Sequence, residues 1–343
     1  MDVRIASFNL NNLFSRFNWS GTVDPAEEGV TYLRRAADGT TTELQDVAFL
    51  VRRNGDDRRR EFMGKLVNAK DPAMTGRVAA RITALDADVL LVQEVEDQSA
   101  LEDFNRTSLG GMYEQIVVLE GNDSRLIDVG IMVRGALALG AVTTWKHARH
   151  PDRPSDPVFS RDLLQAELVD ASGDRVLTIY NTHLKSHFID AFNRKEHRRK
   201  TAAEIEAERL AADVLRRQQA EVAAQIIASR MDEPVLLGGD MNDPPSSAAF
   251  AAWPQLGLVD VLATATESQP PPASSNPEDA PTSSIWSHRF AISGAPDHFE
   301  LFDHLWASPA LAQRAGTATI HRRRSWTRDG SDHDPVSVIA TLT

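Results

Sequence analysis

The sequence predicts an α/β fold built on mixed sheets, and three observations predict it. Short apolar bursts of strand length recur along the chain. Several of these bursts follow one another with no helical stretch between them, and parallel neighbours would need a long crossover. Strands and helices are otherwise interleaved, which points to an α/β sandwich rather than a purely parallel wound sheet.

Taken in order, residues 3–8 alternate and end in Asn9-Leu10-Asn11-Asn12, a strand whose tip carries Asn9 and Asn11 on one side. Residues 15–73 are poorly periodic and rich in Gly, Asp and Arg, and are expected to form an excursion with helix near 43–52 and 59–68. Met74, Val78, Ile82 and Leu85 recur at helical spacing, so 74–86 is read as a helix. Asp88 to Glu94 reads as a buried strand ending in a carboxylate. A helix near 97–108 leads into strands at 113–119, 127–134 and 136–144. His147 to Pro157 is a loop rich in Pro and charge. Strands at 162–169 and 174–182 flank the turn Ala171-Ser172-Gly173-Asp174, and the second ends in Asn181-Thr182-His183.

Residues 193–230 are helix-forming and open with the basic cluster Arg194 to Lys200. Strand 234–239 ends in Gly239-Asp240-Met241-Asn242-Asp243-Pro244-Pro245, where the prolines halt the sheet. Asp240 and Asn242 face the same way if the backbone stays extended there; the plainer reading of the pair is an Asx-rich turn. A short helix is expected near 246–252 and a mobile surface loop near 266–284. Strands near 285–291, 302–307, 316–322 and 335–342 close the chain. Residues that carry the chemistry lie in every part of the sequence. Residues 1–343 are therefore read as one domain with insertions near 15–73 and 193–230.

Composition narrows the function. The chain has 343 residues, 42% hydrophobic and 25% charged, with a formal net charge of −12 and no cysteine. Without cysteine there is no disulfide, thiolate metal site or cysteine nucleophile. The negative balance argues against a protein held on DNA by bulk charge, though not against an enzyme that meets a phosphodiester through a local patch and a cation. No run is long enough to span a bilayer, and the first residues read as a strand rather than a signal peptide. A cytoplasmic monomer is the expectation, or a secreted one if a leader has been removed.

Several bursts end in a polar group suited to catalysis: Asn9 and Asn11, Glu94, His183, Asp240 and Asn242, Asp303, and Asp332-His333. One strand-end carboxylate is ordinarily a turn or a cap. Six such places suggest a shared pocket at one sheet edge. A carboxylate beside a carboxamide suits hydrolysis, one to activate water and one to donate to an oxyanion.

The segments Ser7-Phe8-Asn9-Leu10-Asn11, Val92-Gln93-Glu94-Val95, Asn181-Thr182-His183-Leu184, Gly239-Asp240-Met241-Asn242, Phe302-Asp303-His304-Leu305 and Ser331-Asp332-His333-Asp334-Pro335 occur in the order in which the endonuclease/exonuclease/phosphatase superfamily presents its motifs. The chain resembles that superfamily from residue 7 to residue 335. The resemblance implies a DNase I-like fold, a four-layer α/β sandwich with two packed mixed β-sheets, and a phosphoesterase using Mg²⁺ or Mn²⁺. Glu94 resembles the principal metal ligand, with Asn11 and Asp332 supplying further contacts and Asn9 holding metal or phosphate. Asn11 stands where some members have Asp, which lowers the local negative charge. The resemblance further assigns Asp240 to the attacking water, Asn242 to a phosphoryl oxygen, Asp303 to orienting His333, and His183 to the phosphate or the leaving oxygen. His333 is left as a base or a charged stabiliser. Arg161 resembles a phosphate-side arginine, or is a surface arginine opening a strand. Asp128 is expected to buttress His183.

The remaining histidines, His187, His288 and His304 among them, need only pack or face solvent, since none shows zincin spacing. The Arg194–Lys200 cluster and the run Arg322-Arg323-Arg324 are candidates for steering a polyanion. Three readings follow. The first is a nuclease acting on DNA or RNA. The second is a hydrolase of small phosphoesters such as a phospholipid head group or an inositol phosphate. The third is a catalytically silent binding module, which the completeness of the motif set opposes.

Overall fold

The computed structural model describes residues 1–14, 70–123, 125, 127–193, 198–272, 281, 285–290, 296–326 and 329–342, together with the backbone of four short strands within 15–69. The strands of its two large sheets are, in chain order, β1 (Asp2–Leu13), β2 (Val89–Val95), β3 (Gln115–Val118), β4 (Asp128–Val133), β5 (Ala138–Thr144), β6 (Leu163–Val169), β7 (Arg175–His183), β8 (Val235–Asp240), β9 (Val259–Asp260), β10 (Thr266–Glu267), β11 (Asp303–Ala307), β12 (Ala315–Ile320) and β13 (Val336–Thr341). The long helices are α1 (Pro72–Leu85), α2 (Gln98–Ser108) and α3 (Ala202–Ile227). Seven strands form the first sheet in the order β10-β12-β13-β1-β2-β4-β3, and six form the second in the order β9-β11-β8-β7-β6-β5. Both sheets mix directions: β1 runs parallel to β2 and antiparallel to β13, while β7 runs parallel to β8 and antiparallel to β6.

Strand alternation sorts the side chains into layers. Val3, Ile5, Leu91, Leu177, Ile179, Leu236 and Leu305 meet between the sheets. Residues of the opposite parity, such as Phe8, Leu10, Leu90 and Val92, pack on Val78, Ile82 and Leu85 of α1 and on Leu101 and Phe104 of α2. Tyr180, Val235, Leu237 and Trp306 pack on Ala220, Ala223 and Ile227 of α3. The result is helix, sheet, sheet, helix, the four-layer sandwich expected. The inter-sheet parity continues past the apolar residues to Asn9, Gln93, Asn181, His183, Asp240 and Asp303. One end of the core is therefore polar by construction, and all of these except Gln93 and Asn181 are site residues.

The expectations of helix near 43–52 and 59–68 need correction. Thr41–Leu44 pairs with Tyr32–Arg35 and Arg52–Arg53 with Arg60–Glu61; the rest of those spans lies outside the described residues. The β-branched Thr41 and Thr42 suit an extended pair. Helix α3 begins only at Ala202, because Thr201 and Glu204 form a capping box that fixes its start. The loop expected at 266–284 opens with an edge strand, Thr266–Glu267, paired with β12; 273–280 and 282–284 lie outside the described residues. No helix among the described residues is long and apolar enough to cross a membrane.

Candidate active site

Register alone brings three of the candidate residues side by side. His183 is the partner of Asp240 across β7 and β8, and Asp240 is the partner of Asp303 across β8 and β11. All three are buried and face the other sheet. Gly239 makes this approach possible: its φ is +135°, and a Cβ there would stand 1.9 Å from the Thr182 carbonyl oxygen. Opposite, Asn9 of β1 donates from Nδ2 to Asp240 Oδ2 at 2.8 Å. Its Oδ1 accepts the Asn11 main-chain N–H at 2.9 Å. Asn9 thus positions Asp240 and the Asn11 turn.

His333 lies in the loop before β13. Its Nδ1 is 2.7 Å from Asp303 Oδ2 and its Nε2 is 3.7 Å from Asp240 Oδ2. Burial opposes a charge on this imidazole, but Asp303 and Asp240 overcome it and push its pKa up. Burial raises the carboxyl of Asp240, against the pull of His333 and with the repulsion of Asp303. His183 sits with Nε2 3.4 Å from Asp240 Oδ2. Burial, then Arg161 and His333, hold it well below the usual histidine value, so it is neutral. Its Nδ1 has no hydrogen-bond partner among the described residues.

The expected metal ligands occupy strained turns. Among the described residues the non-glycine positions with positive φ are Asn11, Asn12, Glu94, Asn242 and Asp86, and all but the α1 cap Asp86 are at the site. Glu94, at φ +59°, coincides with register shifts on both sides of β2, a bulge that re-aims its side chain. Such strain costs on the order of 1 kcal/mol and persists where neighbours enforce it. Glu94 Oε2 accepts the Asn12 main-chain N–H at 3.0 Å, and Asn11 Nδ2 donates to Asp332 Oδ1 at 2.6 Å. Burial works against the charge on Asp332, yet His288 and His333 hold its carboxyl below the usual range. Lys70, which donates to Asn11 O at 2.6 Å, is depressed by burial and drawn by Asp332 and Glu94. These two carboxylates therefore already attract a cation. Carboxylate and amide oxygens of this kind suit a hard divalent ion; among the described residues the acidic and histidine side chains whose ligand atoms come within 4.8 Å of one another are His288, Asp332 and His333.

Other expectations fare differently. Arg161 is not a surface residue: it is buried, 3.3 Å from Asp123 Oδ2, and donates to Leu184 O at 3.0 Å. Asp128 is not seen buttressing His183; its Oδ1 accepts Gly121 N–H at 2.7 Å. Asn242 does not continue an extended strand. At φ +55° it closes an Asx turn, its N–H on Asp240 Oδ1 at 2.9 Å and its Nδ2 3.3 Å from Leu184 O. The Asx turn expected of this pair is therefore present. Of the basic stretches, Arg322 and Arg323 are buried on Asp334, and Arg198 and Lys200 pair with Glu204 and Glu208; Arg194 to His197 lie outside the described residues.

Sequence reasoning missed Ser287 and His288. Ser287 Oγ accepts the N–H groups of Phe302 and Asp303, and its carbonyl accepts Asp334 N–H at 2.6 Å. His288, set aside for lack of zincin spacing, bridges His333 strand to strand and lies 3.6 Å from Asp332 Oδ2. The available signal was that the strand read near 285–291 passes from apolar Ile285-Trp286 to polar Ser287-His288, as the motif strands end in polar groups. Arg125, on Asp123 at 2.9 Å and within reach of the Glu94 charge, was also missed.

The fold has relatives of low identity. A Bacteroides vulgatus endonuclease/exonuclease/phosphatase is 14% identical at a TM-score of 0.55, covering 100% of both chains. A mannosyl-6-phosphatase of Bacteroides thetaiotaomicron is 16% identical at 0.53, and a humanized D. rerio TDP2 is 14% identical at 0.52, each covering 99% of both chains. Comparison with curated protein sequences returns no match. Residues 62–333 match the model of the Endonuclease/Exonuclease/phosphatase family, and with the motifs in place across that span the chain belongs to this family of phosphoester hydrolases.

Proposed function

We propose that the protein is a divalent-metal-dependent phosphodiesterase acting through water, with residues 1–343 working as one catalytic domain. The convergence on Asp240 supports this reading most. Asn9, His183 and His333 surround one buried carboxylate, and Asp303 backs His333. Asp240, its pKa raised by burial, accepts a proton from the attacking water. His333, kept charged by Asp303, stabilises charge on the phosphoryl oxygens. Neutral His183 hydrogen-bonds the leaving oxygen, and Arg161 adds positive charge behind it. Glu94, Asp332 and Asn11 would hold Mg²⁺ or Mn²⁺, which offsets the charge of the phosphodiester.

Nucleic acid is the first substrate considered. One observation favours the second, a small phosphoester: of the described cations in the two basic stretches, Arg322, Arg323, Arg198 and Lys200 are engaged by acidic partners, which leaves Arg199 and Arg324 exposed as the described cations there for a polyanion. Cleavage of supercoiled plasmid and of a bis-aryl phosphodiester, with Mg²⁺ or Mn²⁺ and with EDTA, tests the proposal. Metal-dependent turnover of either, reduced at least about 100-fold in Asp240→Ala and His333→Ala, is expected. Turnover that survives EDTA or both substitutions would sink it.

A further inference from the structure

Imidazole nitrogen is absent from the oxygen donor set of Glu94, Asn11 and Asp332, but one lies beside it. We infer that His288 joins Asp332 in holding the divalent cation of the site and tilts its preference from Mg²⁺ toward a transition ion such as Mn²⁺. This inference rests on the metal-dependent reading above. The placement of His288 is a main-chain property. It forms an antiparallel bridge with His333, Arg289 N–H donates to Asp332 O at 3.2 Å, and Asp334 N–H donates to Ser287 O at 2.6 Å. The ring is held in plane by Phe302, stacked at 5.0 Å and 15°.

His288 Nε2 is 3.6 Å from Asp332 Oδ2, too far for a good hydrogen bond. Two ligand atoms each about 2.1 Å from one ion stand at most about 4.2 Å apart, so this spacing suits a shared ion. Asp332 Oδ1 is engaged by Asn11, which leaves Oδ2 toward His288. Ligand atoms of His288, Asp332 and His333 lie within 4.8 Å of one another, and His333 is already engaged by Asp303. The Asp332 side chain is 47% exposed and that of His288 12%, so an ion can enter from the carboxylate side. Imidazole suits Zn²⁺, Fe²⁺, Ni²⁺ and Cu²⁺ best; Mn²⁺, which shares the oxygen preference of Mg²⁺, is the first-row transition ion nearest to it and accepts a nitrogen ligand more readily than Mg²⁺, which keeps its waters.

Binding of Mn²⁺ and Mg²⁺ to the full chain is measured by calorimetry in the wild type, His288→Gln and Glu94→Gln. Nitrogen coupling to bound Mn²⁺ is measured in parallel by pulsed electron paramagnetic resonance. Directly bound nitrogen in the wild type, lost in His288→Gln together with about tenfold of Mn²⁺ affinity but little Mg²⁺ affinity, is the expected result. No nitrogen coupling in the wild type overturns the inference even if His288→Gln fails to fold. Coupling that persists in a folded His288→Gln overturns it too. If the wild type binds neither ion, or Glu94→Gln binds both unchanged, the metal-dependent reading falls with it; metal-dependent cleavage without nitrogen coupling removes this inference alone.

Discussion

Asp128 is a buried carboxyl with a main-chain donor and, among the described residues, no cation that lowers its pKa. Burial pushes it up to about 7 from 3.8, Gly121 N–H pulls it down, and Glu120, Asp123 and Asp162 raise it further. The folded state therefore keeps a proton that the unfolded chain releases. Its contribution to stability is complete below about pH 4 and is lost as pH rises through about 7. Asp128→Asn, which keeps an acceptor for Gly121, removes that loss. Urea midpoints at pH 5 and pH 8 check this: the variant gains on the wild type at the higher pH, and an advantage equal at both would refute the assignment. A residue's identity at a strand end was legible in the sequence, as Glu94, Asp240 and Asp303 show. Its partner was not, because Asp128 meets Gly121 only through the path of the intervening loop. For Asn242 the sequence left an extended tip and an Asx turn both open; asparagine tolerates a positive φ, but the residue type alone does not decide between the two.

At the scale of elements, apolar periodicity located β1, β2, β6, β7, β8 and β13 to within a few residues, because each alternates between two buried faces. It missed the two-residue strands β9 and β10, which are too short to carry a period. It also left the two sheets unconnected, since periodicity says which face is buried and not what meets it. Asn181 of β7 supplies part of that connection. Its Nδ2 donates to Val92 O at 3.0 Å and Gly130 O at 2.8 Å in the other sheet, and its Oδ1 accepts Gln93 Nε2 at 2.8 Å. Asn181→Ala strips donors from two buried carbonyls and is expected to cost about 3 kcal/mol. Ser7→Ala loses only longer contacts to Gln93, at 3.2 and 3.5 Å, and is expected to cost less than about 1 kcal/mol. Chemical denaturation of both variants measures the difference; equal losses would mean that Asn181 does not tie the sheets.

For the whole molecule, a net charge of −12 must be reconciled with an anionic substrate. The reconciliation is local. Lys70, Arg125, Arg161 and Lys185 are among the described cations linked electrostatically to the site or to one another, and Arg125 and Arg161 share Asp123. The remaining arginines of the two basic stretches that pair with Asp334 and Glu204 serve the fold. Phosphate contacts beyond the reacting one are then few. With about two contacts, affinity for duplex DNA falls roughly tenfold between 50 and 200 mM salt; with six to ten it would fall by about 10³ to 10⁵. Plasmid KM measured across that range decides the matter. A shallow slope agrees with a substrate gripped at one phosphate and leaves small phosphoesters as the natural comparison, by kcat/KM at fixed salt. A steep slope requires a basic track beyond these cations, with exposed Arg199 and Arg324 among its described candidates and further ones outside the described residues. Arg58-Arg59-Arg60, whose side chains lie outside them, would become the first positions to neutralise.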